Sequence, residues 1–226
     1  VVSNNSQFVV SNLSSTTIPA NGSATFKVTF TPTSSGPQSA TITVSSTTSG
    51  SNSPTSNLAG TGNALPQGSL SGSTICPGGT AQLTFTSTSG TGPFTLIING
   101  VTYSSITSGT PFNANPNPSA TTNYTLTSIT DANSCGLTTG ITGASATITV
   151  NTLPVITSLP SPIENVGATC TATVSLADVA VGATGSPTPV ITYQNSHHGA
   201  ITFPSSTYTA GTYTVYAIAT NTCGAT

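Results

Sequence analysis

Residues 81–106 read AQLTFTSTSGTGPFTLIINGVTYSSI, and their pattern fixes the class of secondary structure. Ala81, Leu83 and Phe85 alternate with Gln82, Thr84 and Thr86, and Phe94, Leu96 and Ile98 recur at every second position. A period of two belongs to a strand with one buried face, because successive Cβ atoms of an extended chain point to opposite sides. Asn99-Gly100 stands between Ile98 and Val101. Asn-Gly is favoured in two-residue type I′ turns, which need positive φ at both central positions, so the pair predicts a β-hairpin centred there.

The same alternation runs outward in both directions. Ala24, Phe26, Val28 and Phe30 show it, as do Ala40, Ile42 and Val44, then Ala146, Ile148 and Val150. Cys170, Ala172, Val174 and Leu176 repeat it, followed by Tyr213, Val215, Ala217 and Ala219. The intervening threonines are β-branched and polar, which suits the solvent face of a strand. Helical periodicity is absent, and Gly or Pro interrupts the chain about every ten residues, the spacing of a sandwich. The expectation is an all-β chain of tandem immunoglobulin-like β-sandwich domains with essentially no α-helix.

Charge narrows the function. A soluble domain carries about 25% charged residues, whereas here the figure is 2%: Lys27 is the base, and Asp131, Glu164 and Asp178 are the acids. Disorder combines low hydrophobicity with high charge; this chain is 35% hydrophobic with a mean hydropathy of +0.15, so it should fold. One lysine and a net charge of -2 leave no basic patch, which removes nucleic acid as a partner. No apolar run approaches about 18 residues, so no membrane insertion is expected, nor does the N-terminus read as a signal peptide. Sheet edges lack the usual guarding charges, leaving Pro, Gly, bulges or neighbouring modules to protect them.

Two connectors divide the chain. Leu58-Ala59-Gly60-Thr61-Gly62 closes one alternating block before Asn63 to Gln67, and Ile148-Thr149-Val150 closes the next before Asn151-Thr152-Leu153-Pro154. The expected blocks are therefore 1–62, 63–152 and 153–226. An internal repeat agrees: Tyr124-Thr125-Leu126 precedes Cys135-Gly136 as Tyr213-Thr214-Val215 precedes Cys223-Gly224. Cys76, Cys135, Cys170 and Cys223 lack C-x-x-C spacing, which disfavours zinc or redox chemistry and favours structural disulfides in an oxidising compartment. The alternative is buried, reduced thiols. Pairing within blocks, Cys76 with Cys135 and Cys170 with Cys223, would close loops of roughly 50 to 60 residues, each stabilising by about 4 kcal/mol through loop-closure entropy.

With these motifs in place, the blocks resemble known modules. Residues 18–62, with Ile18-Pro19-Ala20-Asn21-Gly22, Gly36-Pro37-Gln38-Ser39-Ala40 and Leu58-Ala59-Gly60-Thr61-Gly62, resemble the C-terminal half of bacterial ASH and choice-of-anchor modules. Residues 63–152, with Ile75-Cys76-Pro77-Gly78-Gly79 and Asp131-Ala132-Asn133-Ser134-Cys135-Gly136, are similar to PKD-like or Ig-like repeats of Bacteroidota surface proteins. Residues 153–226, with Ile201-Thr202-Phe203-Pro204 and Thr220-Asn221-Thr222-Cys223-Gly224, resemble the hyalin-repeat (HYR) module. The resemblance implies that the first domain lacks upstream strands and the last lacks its final strand. It further implies the setting of gliding-motility adhesins exported by the type 9 secretion system.

No catalytic, cofactor-binding or metal-binding residue is expected. Glycoside hydrolysis needs two carboxylates roughly 5 to 9.5 Å apart, and only Glu164 and Asp178 share a block, so turn or surface positions are the plainer reading of the three acids. His197-His198 reads as an exposed loop pair, since no further metal donors lie beside it. No G-x-S-x-G occurs, Gly78-Gly79 lacks the lysine of a phosphate loop, and no Asp-rich calcium loop exists. Lys27 has no acid in its block for an isopeptide staple. Asn12-Leu13-Ser14, Asn21-Gly22-Ser23 and Asn123-Tyr124-Thr125 match the N-glycosylation pattern, as chance permits in an Asn- and Ser-rich chain. Tyr124 and Tyr213 occupy positions where sandwich tyrosines pack inward and hydrogen-bond a backbone corner, against the alternative of a sugar platform.

The leading expectation is a non-catalytic stalk or filament segment of a secreted bacterial cell-surface adhesin. Its partners are neighbouring domains of one long chain, other copies in a fibre, or surface glycans. The alternative is a carbohydrate-binding or spacer module of a secreted polysaccharide-degrading enzyme. Ice binding through Thr41-Ile42-Thr43 and Thr147-Ile148-Thr149 is a weaker third reading, because these pairs follow no fixed repeat.

Overall fold

The computed structural model describes residues 1–47, 52–160, 171–172, 176–195, 197–201, 208–209 and 214–226. The first five strands are β1 (Val2–Ser3), β2 (Phe8–Val10), β3 (Val28–Phe30), β4 (Gly36–Thr43) and β5 (Thr55–Gly62). Nine more continue the chain: β6 (Gln67–Gly72), β7 (Thr74–Ile75), β8 (Gln82–Ser89), β9 (Phe94–Ile98), β10 (Val101–Ile106), β11 (Pro111–Asn113), β12 (Thr122–Thr130), β13 (Gly136–Leu137) and β14 (Ser145–Val150). The remainder holds β15 (Thr152–Ser158), β16 (Thr171–Ala172), α1 (Leu176–Val179), β17 (Gly182–Ser186), β18 (Val190–Gln194), β19 (Tyr208–Thr209), β20 (Tyr216–Asn221) and β21 (Gly224–Ala225). Among the described residues the chain is almost entirely β-strand, arranged in several small sheets, with one helical turn. That turn departs from the alternation at Cys170–Leu176, which predicts an extended chain: Leu176 opens α1 and is exposed. Leu-Ala-Asp-Val has no helix-breaking residue, and a turn of four closes on local hydrogen bonds alone.

Two compact units divide the chain: residues 1–69, 85–109 and 126–144 form one, and 70–84, 110–125 and 145–226 the other. In the first unit, β4 pairs with β1 and, along its whole length, with β5. Ala40 and Ile42 are buried by it, as the alternation requires. The run Ala24–Phe30 becomes a regular strand only at β3; upstream, two hydrogen bonds continue the pairing, Ser11 N donating to Lys27 O and Ser14 N to Thr25 O. Phe8 and Phe30 stack with ring centroids 4.5 Å apart. Gly60 lies under Phe30, where a side chain would collide with the ring.

Farther along the same unit, Asn99 and Gly100 adopt φ of 48° and 79°, the turn the sequence predicts, and Val101 pairs with Ile98 across it. β9 pairs on its other side with Leu126–Thr130 of β12. Phe94, Leu96, Ile98, Leu126 and Ile129 are buried, and Phe85 from β8 meets Phe94 edge-on at 5.2 Å. The outer strand β10 carries a register shift between Tyr103 and Ile106, with Ser105 at a φ of 59°. A bulge of this kind twists an edge away from further pairing, the protection expected where guarding charges are missing.

In the second unit, Thr122–Thr125 of β12 pairs with β14, and β14 pairs in parallel with β7. Leu83 and Ala81 are fully buried, and β11 pairs with Gln82–Thr84. A side chain at Gly72 would meet Thr147 O, so the glycine permits close backbone approach. Beyond Thr152, β15 pairs with β17, β18 with β20, and β20 with β21. Ala219 is fully buried there, whereas Leu153, Val155, Leu159, Val190 and Tyr216 are exposed.

Candidate functional site

Asp131 is buried, and its carboxylate accepts three backbone hydrogen bonds: Oδ1 from Asn133 N and Cys135 N at 2.9 Å each, Oδ2 from Thr91 N at 3.1 Å. Ala132 N donates to Thr91 O and Asp131 N to Cys135 O, so the acid shapes the turn between β12 and β13. The turn expected for Asp131 is present; its burial is new, and fixed N–H donors substitute for water there. Asp178 falls within α1, while Glu164 lies outside the described residues, as does Cys170.

His197 and His198 are exposed in a tight turn, where Asn195 Oδ1 accepts from His197 N and Gly199 N, each at 2.9 Å. No group of three or more His, Cys, Asp or Glu that could hold a metal occurs among the described residues. His198 lies 6.4 Å, ring to ring, from Tyr216. Among the described side chains, Tyr216 is the Tyr or Phe that is exposed, while Phe26, Phe30, Tyr103, Phe112 and Tyr193 are half-buried.

Tyr124 is buried, and its hydroxyl donates to Pro116 O at 2.8 Å, the backbone-corner role the sequence suggests. Tyr213 lies outside the described residues. Tyr124→Phe keeps the ring and removes the donor; urea unfolding is expected to show a loss of about 1 kcal/mol. An unchanged midpoint would show that the hydroxyl adds nothing. A depression of about 610 Å³ in the first unit is lined by Ser87, Gly90, Pro93, Phe94, Thr107 and Ser108. Gly92 completes its lining, its aromatic member Phe94 is buried, and it holds no acid or histidine.

The connector 151–154 is held from several sides. Thr149 and Val150 pair with Thr74 and Ile75, and Asn151 N extends that ladder to Ile75 O at 2.8 Å. Asn221 then clamps the start of β15: Nδ2 donates to Thr152 O at 2.9 Å and to Pro187 O at 3.1 Å, while Oδ1 accepts from Cys223 N at 2.9 Å. Ser186 N donates to Thr152 Oγ1, and Pro154 is buried. Across this joint runs a disulfide between Cys76 and Cys223, with Cα atoms 5.3 Å apart.

That bond corrects the pairing expected within blocks. Cys76 joins Cys223 rather than Cys135, and Cys135 is a half-buried free thiol. Loop-closure entropy favours no such long loop while the chain is unfolded. The folded geometry decides instead: the β7–β14 ladder carries Cys76 to the connector, and the Asn221 clamp brings Cys223 to the same point. Disulfide formation requires Cα atoms within about 7 Å, a condition that sequence spacing cannot reveal.

No protein-family model matches this chain, and no curated protein matches it. Among solved structures it is similar to Sidekick-1 immunoglobulin domains 1–4, at 14% identity and a TM-score of 0.37, over 92% of this chain and 54% of that one. The chain thus spans about half the length of that structure.

Proposed function

We propose that this chain is a non-catalytic stalk or filament segment of a secreted bacterial surface adhesin, built of three sandwich blocks in series. The observation that carries this reading is the closure of the strand ladders. Every described ladder lies within 1–62, 63–150 or 152–226, so each block forms its own sheets as a module would. The disulfide fits an oxidising, extracellular compartment. A chain with one lysine and three acids in 226 residues carries little charge with which to repel neighbouring copies or answer to salt.

Small-angle scattering tests the reading. A single compact globule of this length has a radius of gyration of about 17 Å. A stalk is expected to exceed that value and to keep it between low and high salt. A radius at or below the globular value, or one that shrinks with added salt, counts against the proposal. The accessory-module alternative rests on Tyr216 beside His198. A glycan array with the chain is expected to be blank; selection of one sugar, lost in Tyr216→Ala, would favour that alternative instead.

A further inference from the structure

A chain that works as a stalk is pulled along its length, and the covalent topology at the connector determines which residues feel the pull. Force arriving from upstream of Cys76 and leaving downstream of Cys223 meets two parallel paths. One is the folded chain between them, with a sequence separation of 147. The other is the disulfide, which holds the two Cα atoms 5.3 Å apart.

We propose that the Cys76–Cys223 bond is a covalent shortcut that carries tension past residues 77–222. A segment whose two ends are tied cannot be drawn out by its ends. The β9–β10 hairpin and its pairing with β12, where Phe94, Ile98 and Leu126 are buried, then lie off the load path. The stretch that does feel tension is residues 1–75, which holds β1 to β5, paired with one another, and also β6 and β7, paired with β8 and β14. The extensible element is the first block together with β6 and β7; residues 77–222 are the shielded part. The Asn221 bonds to Thr152 O and Pro187 O serve the same arrangement, because they hold Cys223 against the connector from which β15 departs.

The biological use of this shortcut rests on the stalk reading, but the load path does not, so the two fail separately. The experiment is single-molecule stretching of the oxidised chain with handles at both ends. Extended chain spans about 3.3–3.6 Å per residue, so with the bond intact the final contour length is expected at roughly 260–290 Å, against roughly 750–810 Å for the fully released chain. A Cys76→Ser/Cys223→Ser variant is expected to extend to more than twice the wild-type value. Should that variant fail to fold, it still stretches to its released length and the comparison stands. An oxidised wild-type chain that reaches the full length overturns the proposal, as does peptide mapping under non-reducing conditions that finds Cys76 joined to Cys135. A short contour in a chain that selects a sugar on the array would retain the shortcut and reject the stalk.

Discussion

Phe85→Ala is expected to lower stability by about 4 kcal/mol, within the range of Phe→Ala changes at rigid core positions. Phe85 is fully buried. Its ring meets Phe94 edge-on, with centroids 5.2 Å apart and planes at 67°, an arrangement that contributes beyond simple area burial. The ring also covers Gly68, where an added Cβ would stand 2.6 Å from ring carbons, so the aromatic occupies the space a side chain at 68 would otherwise take. Removing it leaves a cavity around which the paired strands can relax only partially, and the cost grows with the cavity that remains. Urea unfolding should show a lower midpoint at unchanged slope. A loss under about 1 kcal/mol would mean the site is repacked or wet.

Asp131→Ala is expected to lower stability by about 2–3 kcal/mol. Three backbone donors, from Thr91, Asn133 and Cys135, lose their acceptor at once. Orphaning donors costs more than the net value of the bonds, and bonds to a charged acceptor are the stronger kind. Partial solvent access at this turn keeps the figure below that of a fully interior charge site. Asp131→Asn separates shape from charge: its carbonyl still accepts from Asn133 and Cys135, but its amide presents a donor to Thr91 N. It is expected to fall between wild type and Asp131→Ala in urea unfolding. Equal stability of all three proteins would reject the structural role assigned to the carboxylate.

The residues that are legible in the sequence share one property: their environment is set within a few positions of themselves. Ala81, Leu83 and Phe85 face inward because a strand points alternate residues to one side, and all three are fully buried. Asn99-Gly100 turns the chain because those residues tolerate positive φ. Tyr124 reaches Pro116 O, eight positions away, in a corner the sequence pattern anticipates. Asp131 is legible only in part, as a turn residue. Its burial depends on Thr91, forty positions distant, and no local pattern marks an acid that will meet a remote N–H.

The order of residues is enough to dictate an all-β chain with alternating buried faces and almost no ionisable groups, since strand periodicity and composition are local quantities. Which cysteines meet is settled only in the folded molecule. Sequence distance governs how readily a loop closes in the unfolded chain, whereas a disulfide needs two Cα atoms a few ångströms apart in the folded one. The β7–β14 ladder and the Asn221 clamp supply that proximity for Cys76 and Cys223, and neither can be read from the spacing of the cysteines.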